Sequence, residues 1–324
     1  MITAWFANIS ITYFINDSLI RLVMNGVLVL SLIPMLNAGV GINYGLPIGV
    51  VAGLMGMCLA VNFNIKEGLG FILSFLFSIP IAVIFGYIYS MILNRVKGKE
   101  EITATFVGFS FIYLTSLFWS IAPFNNPSML WPIGGEGMRP TIGLKPYFEK
   151  ILNNLWVIEI QKIKIPLGML FFYFGLCIFI KFFFKTKIGI ASIAVGENET
   201  FAKLSGIDIP KIRTLAIILS TVIAALGICV YSQSYGFIEL YDAPLMVAFS
   251  AASAILMGGG KEGKTKVTHA VIGTYLFQTI YILSAPIANE LLLPEVAEIF
   301  RNIITNGVIL YAILYKNQKN SSSI

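Results

Sequence analysis

Residues 215–230 read LAIILSTVIAALGICV, and stretches of this kind decide the fold. The apolar residues continue without the alternation that a strand of an outer-membrane barrel shows over roughly ten residues. Runs of about 20 apolar residues recur along nearly the whole chain, which is typical of transmembrane helices. The 324 residues are 57% hydrophobic and 12% charged, whereas a soluble domain averages about a quarter charged. We therefore predict an all-α polytopic membrane protein.

Nine apolar segments are predicted to cross the membrane. The second and the seventh are candidates for broken or re-entrant helices, because the second opens on Asn43, Gly45 and Pro47 and the seventh is short. The predicted number of spans is therefore eight to ten. Residues 1–18 are predicted to lie along the membrane interface, residues 19–316 to form the transmembrane domain, and residues 317–324 to form a tail. The predicted spans are Leu19–Leu36, Ile42–Val61, Leu69–Leu93, Ile102–Ile121, Ile165–Phe184, Leu215–Tyr235, Pro244–Met257, Val267–Leu283 and Ile299–Tyr315.

Basic residues predict the orientation of the chain. Most of the 22 Lys and Arg residues fall on one side of a nine-span arrangement, and the densest group surrounds residues 185–213. The positive-inside rule places this side and the C-terminus in the cytoplasm. It also accounts for the net charge of +6, so we expect no nucleic-acid partner. The long segment 122–164 is then external, with a surface amphipathic helix over Lys145–Trp156, and is predicted to dock an external partner.

Residues 194–207, AVGENETFAKLSGI, form a polar island between apolar segments. We predict one helix of about two turns, capped by Asn198 and ended by Gly206. Glu199 in its first turn and Lys203 near its end suit the helix dipole. Phe201 and Leu204 are three residues apart and share a face. An apolar face on a loop helix predicts docking against a partner.

No catalytic or metal site is predicted. Gly258–Thr265 matches the phosphate-loop pattern GxxxxGK[ST], but it follows an apolar span and lacks the strand–loop–helix context that nucleotide binding needs. His269 is the only histidine, and Cys58, Cys177 and Cys229 lie in apolar segments without metal-ligand spacing. The phosphate-loop match is interpreted as a Gly-rich turn, and these side chains as packing or interface residues.

Neutral polar residues within the spans are candidates to line a translocation path. The span interiors are nearly free of ionisable residues, whereas ion-coupled carriers usually keep such residues at their working sites. The cargo is therefore predicted to be neutral or zwitterionic, and the energy to come from elsewhere. Many of these residues are expected to join helices by hydrogen bonds. The path candidates are Asn25, Asn43, Ser110, Tyr113, Gln278 and Asn306.

The stretch 194–207 resembles the cytoplasmic loop of permease subunits of bacterial ABC importers, in the simple-sugar and nucleoside branch related to branched-chain amino acid permeases. Gly196, Asn198, Ala202, Gly206 and Ile207 occupy the positions of that family's loop motif. The stretches NAGVGINYG at 37–45, KEEITAT at 99–105 and MGGGKEG at 257–263 also look like family segments. The resemblance implies that the loop helix docks on an ATPase through Gly196, Glu197, Asn198, Phe201, Ala202, Lys203, Leu204 and Gly206.

The resemblance further implies a subunit of the bacterial inner membrane that carries a monosaccharide or a nucleoside. Its expected partners are two cytoplasmic ATPases, which hold ATP and Mg, a second permease chain or a copy of itself, and an external binding protein. The chain itself is expected to bind no cofactor. A branched-chain amino acid permease and a self-sufficient secondary carrier are the alternatives within transport. A membrane-embedded transferase would need a catalytic constellation, and none is visible in the sequence.

Overall fold

The computed structural model describes residues 11–96, 98–131, 137–160 and 163–291, together with positions 299, 303 and 307. Within these ranges the chain forms twelve α-helices and four short strands. The helices are α1 (Ile11–Leu30), α2 (Leu32–Asn37), α3 (Leu46–Asn62), α4 (Glu67–Leu93), α5 (Glu100–Ile121), α6 (Ile151–Asn154), α7 (Leu167–Phe183), α8 (Lys187–Glu197), α9 (Glu199–Leu204), α10 (Ile209–Tyr235), α11 (Ala243–Met257) and α12 (Val267–Leu291). The strands are β1 (Thr141–Gly143), β2 (Val157–Ile160), β3 (Ile163–Pro166) and β4 (Phe237–Glu239).

The predicted all-α polytopic fold is confirmed. Four helical segments are long and apolar enough to cross a membrane: Thr12–Asn37, Glu67–Leu93, Glu100–Ile121 and Ile209–Tyr235. A fifth is counted if α7 and α8, which are bent by 76° to each other, form one broken span. Three shorter apolar helices, Leu46–Asn62, Ala243–Met257 and Val267–Leu283, add to these within the described residues. The predicted span Ile299–Tyr315 lies outside the described residues apart from three isolated positions.

The helix breaks fall in different places from those predicted. The second predicted span begins as a helix at Leu46, and residues 38–45 form turns in which Gly39 has a φ of +64°. The seventh is an unbroken helix of 15 residues. The sharp bend lies instead between α7 and α8, where the Thr186 hydroxyl caps α8 by accepting the Gly189 N–H at 3.2 Å. A new cap allows the chain to start a helix in a new direction.

The centre of the bundle is α3, packed between α4 and α10. Fourteen of its 17 residues are buried, and a helix that is apolar all round belongs in an interior. The peripheral helices α4 and α5 bury only 28% of their most apolar windows. Their outer faces are apolar, as expected for helices next to lipid or another membrane subunit.

The segment 122–164 is a packed lobe. Among its described residues the one helix is α6, with four residues, so the surface amphipathic helix predicted over Lys145–Trp156 is absent. Lys150 and Trp156 have φ values of +54° and +51°, which interrupt any longer helix. Phe148 and Leu144 are fully buried, and β1 pairs with β4 so that Ile142 faces Ile238. This pairing ties the lobe to the end of α10.

Candidate functional site

The short helix predicted around Phe201 is present as α9. The Asn198 side chain accepts the Phe201 N–H at 2.9 Å, and Gly206 ends the turn with a φ of +77°. The helix of about two turns predicted within 194–207, capped by Asn198 and ended by Gly206, is confirmed as Glu199–Leu204, whereas residues 194–197 belong to α8. Asn198 separates the two helices with φ −156° and ψ 99°. An N-cap residue takes this extended conformation, so the cap that starts α9 also ends α8.

Helix α9 exposes an apolar face. The Phe201 residue is 60% exposed and Leu204 83% exposed, three positions apart on the same face. Glu197 and Lys203 are also exposed beside this face. Ala202 points the other way and is fully buried, in a small apolar cluster with Val195 and Ile209. The predicted docking residues therefore divide into an outward face and an anchoring residue.

Arg213, which the sequence analysis used only as a marker of sidedness, anchors α9 to the rest of the bundle. Arg213 is 8% exposed. Nη1 lies 3.3 Å from Glu100 Oε1, and Nη2 donates to the Gly39 carbonyl at 3.1 Å. Nη2 also lies 3.7 Å from Glu199 Oε2, in the first turn of α9. One guanidinium thus joins α9 and α10 to α5 and to the turn after α2.

Gly196 permits close contact between backbones. A Cβ atom at Gly196 would overlap the Asn37 carbonyl and lie 3.0 Å from the Gly263 Cα. A Cβ atom at Gly39 would lie 3.0 Å from the Gly196 Cα. The end of α8 and two turns that are distant from it in sequence therefore touch here, which only residues without side chains allow.

Buried hydrogen bonds tie the same turns together. Asn37 Nδ2 donates to the Thr265 carbonyl, and the Thr265 N–H donates to Asn37 Oδ1, both at 2.9 Å. The Gly263 N–H donates to the Leu36 carbonyl at 3.0 Å. We call the surface made by α9, Arg213 and these turns the coupling surface.

The phosphate-loop pattern forms part of the coupling surface as a turn. It follows α11, not a strand, and its backbone N–H groups donate within the protein. The Lys261 N–H donates to the Thr265 hydroxyl at 2.8 Å, and that hydroxyl donates to the Lys261 carbonyl at 2.6 Å. A phosphate cradle needs such N–H groups to point at the ligand. The residues whose N–H groups have protein acceptors are Gly258, Gly259, Gly260, Lys261, Gly263, Lys264 and Thr265.

The side chains of His269 and of the three cysteines are hydrogen-bonded or buried within the protein. His269 Nδ1 accepts the Lys266 N–H at 3.2 Å at the start of α12. Cys58, Cys177 and Cys229 are buried and reduced. Among the described residues, no group of three His, Cys, Asp or Glu side chains is arranged to hold a metal ion.

The six path candidates lie in three different settings. Asn25 and Gln278 come together, with Ser250, around an interior cavity between α1, α11 and α12. The cavity measures about 10 Å³, close to the size of one water molecule. Ser110 and Tyr113 lie on the exposed face of α5. Asn306 lies outside the described residues.

The nitrogen and the oxygen of the Asn43 side-chain amide each form a hydrogen bond. Its Nδ2 donates to Ser220 Oγ at 3.0 Å, and its Oδ1 accepts the Tyr89 hydroxyl at 3.0 Å. All three side chains are buried. These contacts join the start of α3 to α4 and α10, which is the role expected of a polar residue between membrane helices.

An ion pair in the first span was missed. The sequence analysis described the span interiors as nearly free of ionisable groups, yet Arg21 lies within the predicted span Leu19–Leu36. Arg21 Nε is 2.7 Å from Asp17 Oδ2. The two residues are four positions apart, a spacing that brings side chains together on a helix. A lone Arg in an apolar segment with Asp four residues earlier was the available signal.

The comparison with family models gives a match over most of the chain. A model described as "Branched-chain amino acid transport system / permease component" matches residues 14–315. No curated protein and no solved structure matches the chain significantly.

Proposed function

The chain belongs to the branched-chain amino acid transport system / permease component family, and from this premise we propose that it is the permease subunit of an ATP-driven importer for a small neutral polar solute. Membership of this family supports the assignment of the chain as an ABC-type permease component, which forms a membrane complex with ATPase partners. The proposal adds the direction, inward, and the cargo, a monosaccharide or a nucleoside. It also adds the bacterial inner membrane as the location, with a cytoplasmic C-terminus.

The observation that carries the proposal is the exposed apolar face of α9 on a rigid support. Phe201 and Leu204 face outward, while Arg213 holds the helix by its contact with Glu199. A groove on an ATPase that covers Phe201 would bury apolar area worth roughly 25 cal/mol per Å². Because Arg213 also contacts Glu100 at the start of α5, movement of α9 would be passed to a membrane helix. Two arrangements of this linkage would give alternating access.

The remaining partners follow from the same proposal. ATP and Mg would be held by the cytoplasmic ATPases, since the N–H groups of the one phosphate-loop pattern are committed to protein acceptors. A second permease chain or a copy of this one would complete the translocation path within the lipid bilayer. An external binding protein would deliver the solute to the opposite end. We propose no catalytic activity, no metal and no nucleic-acid partner for the chain itself.

A branched-chain amino acid permease is the second candidate. The description of the matching family names that cargo, and the Arg21–Asp17 pair offers one charge of each sign. A zwitterionic amino acid would find a counter-charge for both of its groups there. A self-sufficient secondary carrier remains the third alternative, and uptake that survives removal of the ATPases would favour it.

Phe201→Asp tests the docking role. We expect normal membrane insertion, loss of co-purification with the ATPase subunits and loss of uptake, because a charge replaces the centre of the apolar contact. Ile160→Asp is the matched control: Ile160 is an exposed apolar residue on strand β2, in the lobe at the other end of the bundle. It should keep the ATPase bound. Normal solute-stimulated ATP hydrolysis in Phe201→Asp would refute docking through α9.

A further inference from the structure

Ionisable and aromatic side chains from α1, α10, β4 and α12 meet at the end of the bundle opposite the coupling surface. We call this group the far-end cluster; its members are Asp17, Arg21, Tyr231, Tyr235, Glu239 and Tyr281. Helix α10 begins at the coupling surface, and its 18-residue rise from Arg213 to Tyr231 corresponds to about 27 Å. The cluster is therefore a full membrane thickness away from α9.

Arg21 is at the centre of the far-end cluster. Its Nε lies 2.7 Å from Asp17 Oδ2, and its Cζ lies 5.5 Å from the centre of the Tyr281 ring. The Tyr231 hydroxyl interacts electrostatically with Arg21, Glu239 and Tyr281. The Tyr231 and Tyr235 rings are 5.9 Å apart. The Arg21 and Asp17 side chains keep 35% and 22% of their surface exposed.

The Arg21–Asp17 ion pair lies within the helical segment Thr12–Asn37, which is long and apolar enough to cross a membrane. Charged residues within membrane segments are rare and mark substrate or ion pathways. A partly exposed ion pair of this kind contributes little net stability. Stability alone therefore gives a weak reason for Arg21 and Asp17 to lie in an apolar helix.

A small cavity with three polar and five apolar residues in its lining lies next to the cluster, on the side of the coupling surface. Asn25, one helical turn beyond Arg21, donates from Nδ2 to the Arg21 carbonyl at 3.1 Å. Asn25, Ser250 and Gln278 line the cavity of about 10 Å³. Gln278 is on the same helix as Tyr281 and three residues nearer the coupling surface. The cavity holds about one water molecule, so a solute would rest at the cluster, and the cavity would have to widen for its passage.

We infer that the far-end cluster is a solute-binding site of the permease for an uncharged ring that carries several hydroxyl groups, such as a monosaccharide or the ribose of a nucleoside. This inference rests on the proposed function. Paired hydroxyls can donate to Asp17 and accept from Arg21 at the same time, while the C–H face of the ring packs on Tyr281 or Tyr231. Asp17 pairs with Arg21, and Glu239 lies near the Tyr231 hydroxyl. The cluster therefore holds two carboxylates and one guanidinium, so a phosphorylated sugar would be repelled.

Protection from chemical labelling tests the site directly. Tyr235→Cys and, separately, Phe237→Cys, beside the cluster but outside the assigned ring contacts, are introduced into the full complex, in which the native Cys58, Cys177 and Cys229 are buried. Each is labelled with a membrane-impermeant maleimide in the presence of a sugar and nucleoside mixture (D-ribose, D-galactose, uridine, adenosine) or of L-leucine with L-valine. We expect the first mixture to slow labelling at both positions and the second to have no effect. Ile160→Cys, in the lobe at the same end, should label at one rate throughout.

Two outcomes would overturn the inference. Protection only by the amino acids would overturn the hydroxyl-bearing class, and protection by neither mixture would overturn the site. ATP-dependent uptake by the wild-type complex is measured in parallel. Its loss when the ATPases are removed supports the permease role whatever the labelling shows, so the two claims fail separately.

Exchange of the two charges separates solute contact from structure. Asp17→Arg combined with Arg21→Asp keeps an ion pair at the same spacing. We expect normal membrane insertion, with solute uptake reduced about tenfold or more, because hydrogen bonds between the charged groups and the solute are misplaced. Uptake at the wild-type rate in this double variant would show that the ion pair only stabilises α1, and would contradict the inferred contact with the solute.

Discussion

Arg213 and Glu100 lie 113 positions apart in the sequence, and their side chains meet with 3.3 Å between Nη1 and Oε1. Both side chains are largely buried. Since the same guanidinium donates to the Gly39 carbonyl and reaches Glu199, the first turn of α9 cannot shift without disturbing the starts of α5 and α10. This linkage makes the exposed helix α9 part of the membrane bundle.

Arg213→Met should lower the stability of the complex and its coupling together. Removing one partner of a buried pair leaves the other charge uncompensated and costs about 3 kcal/mol or more. We expect a lower Tm in detergent and uptake that is lost while ATP hydrolysis becomes independent of solute. Arg213→Lys keeps the positive charge but lacks the branched guanidinium. Its Tm and uptake should therefore lie between those of the wild type and those of Arg213→Met. An unchanged Tm in Arg213→Met would contradict the anchoring role.

Gly196→Ala should be destabilising although it adds only a methyl group. The new Cβ would overlap the Asn37 carbonyl, and overpacking of this kind costs about 1–3 kcal/mol. Gly175→Ala on α7 is the control, because a Cβ there meets nothing within 4 Å. Replacing a helical glycine in open space is expected to stabilise by about 0.5–1 kcal/mol. Thermal unfolding of the purified complexes checks both, and equal shifts of Tm would contradict the close contact.

Asn43→Ala tests whether this path candidate joins helices or contacts cargo. The change leaves the buried Tyr89 hydroxyl without its acceptor, at a cost of about 1–3 kcal/mol. Tyr89→Phe in the same chain should recover part of that loss, since the unpaired group is then gone. We expect a lower Tm with an unchanged KM for uptake. A raised KM with an unchanged Tm would instead place Asn43 in contact with the solute.

Lys264→Ala should leave ATP-driven uptake unchanged. In a working phosphate loop this lysine contacts the nucleotide phosphates, and its loss would abolish hydrolysis. Thr265→Val is the informative partner variant, because it removes the hydroxyl bonded to Lys261 and should lower Tm without acting on nucleotide affinity. Uptake rates in proteoliposomes provide the measurement. Loss of ATP binding by the permease chain in Lys264→Ala would refute the turn interpretation.

Glu239 should give the complex a pH-dependent stability. Burial, and then the nearby Asp242, raise the pKa of this carboxyl above its usual range, although a hydrogen bond from Tyr235 opposes the shift. The folded state therefore resists the charged form, and this penalty is present at neutral pH and disappears as the pH falls through the raised pKa to the unfolded value. Glu239→Gln should raise Tm at pH 7, and the difference from wild type should vanish in acid. A constant difference across this range would contradict the shift.

Local features of the coupling surface were predictable from the sequence, and long-range ones were not. The cap from Asn198 to Phe201 and the stop at Gly206 involve residues a few positions apart. Local spacing did not show that residues 194–197 continue α8, which the same Asn198 ends. Asn37 and Thr265 are 228 positions apart, and neither shows in its own segment that the other is its partner.

In the far-end cluster too, the local contact was predictable from the sequence and the long-range contacts were not. Asp17 and Arg21 are four residues apart on one helix, and their spacing could have revealed the pair. Nothing near Arg21 in the chain indicates the ring of Tyr281, which reaches it from α12. Likewise, Asn25 and Gln278 were both chosen as polar residues in spans, but their shared cavity depends on how α1 and α12 pack.

The sequence by itself determined the membrane class, the apolar helices and the apolar face of α9. These depend on composition and on contacts within one helical turn, so each segment carries its own signal. Only the tertiary structure decided that Gly39, Gly196 and Gly263 touch, that Arg213 reaches Glu100, and which protein groups accept the N–H groups of the phosphate-loop pattern. Such contacts arise when helix packing brings distant backbones within hydrogen-bond distance, and a single segment holds no record of which partner it will meet.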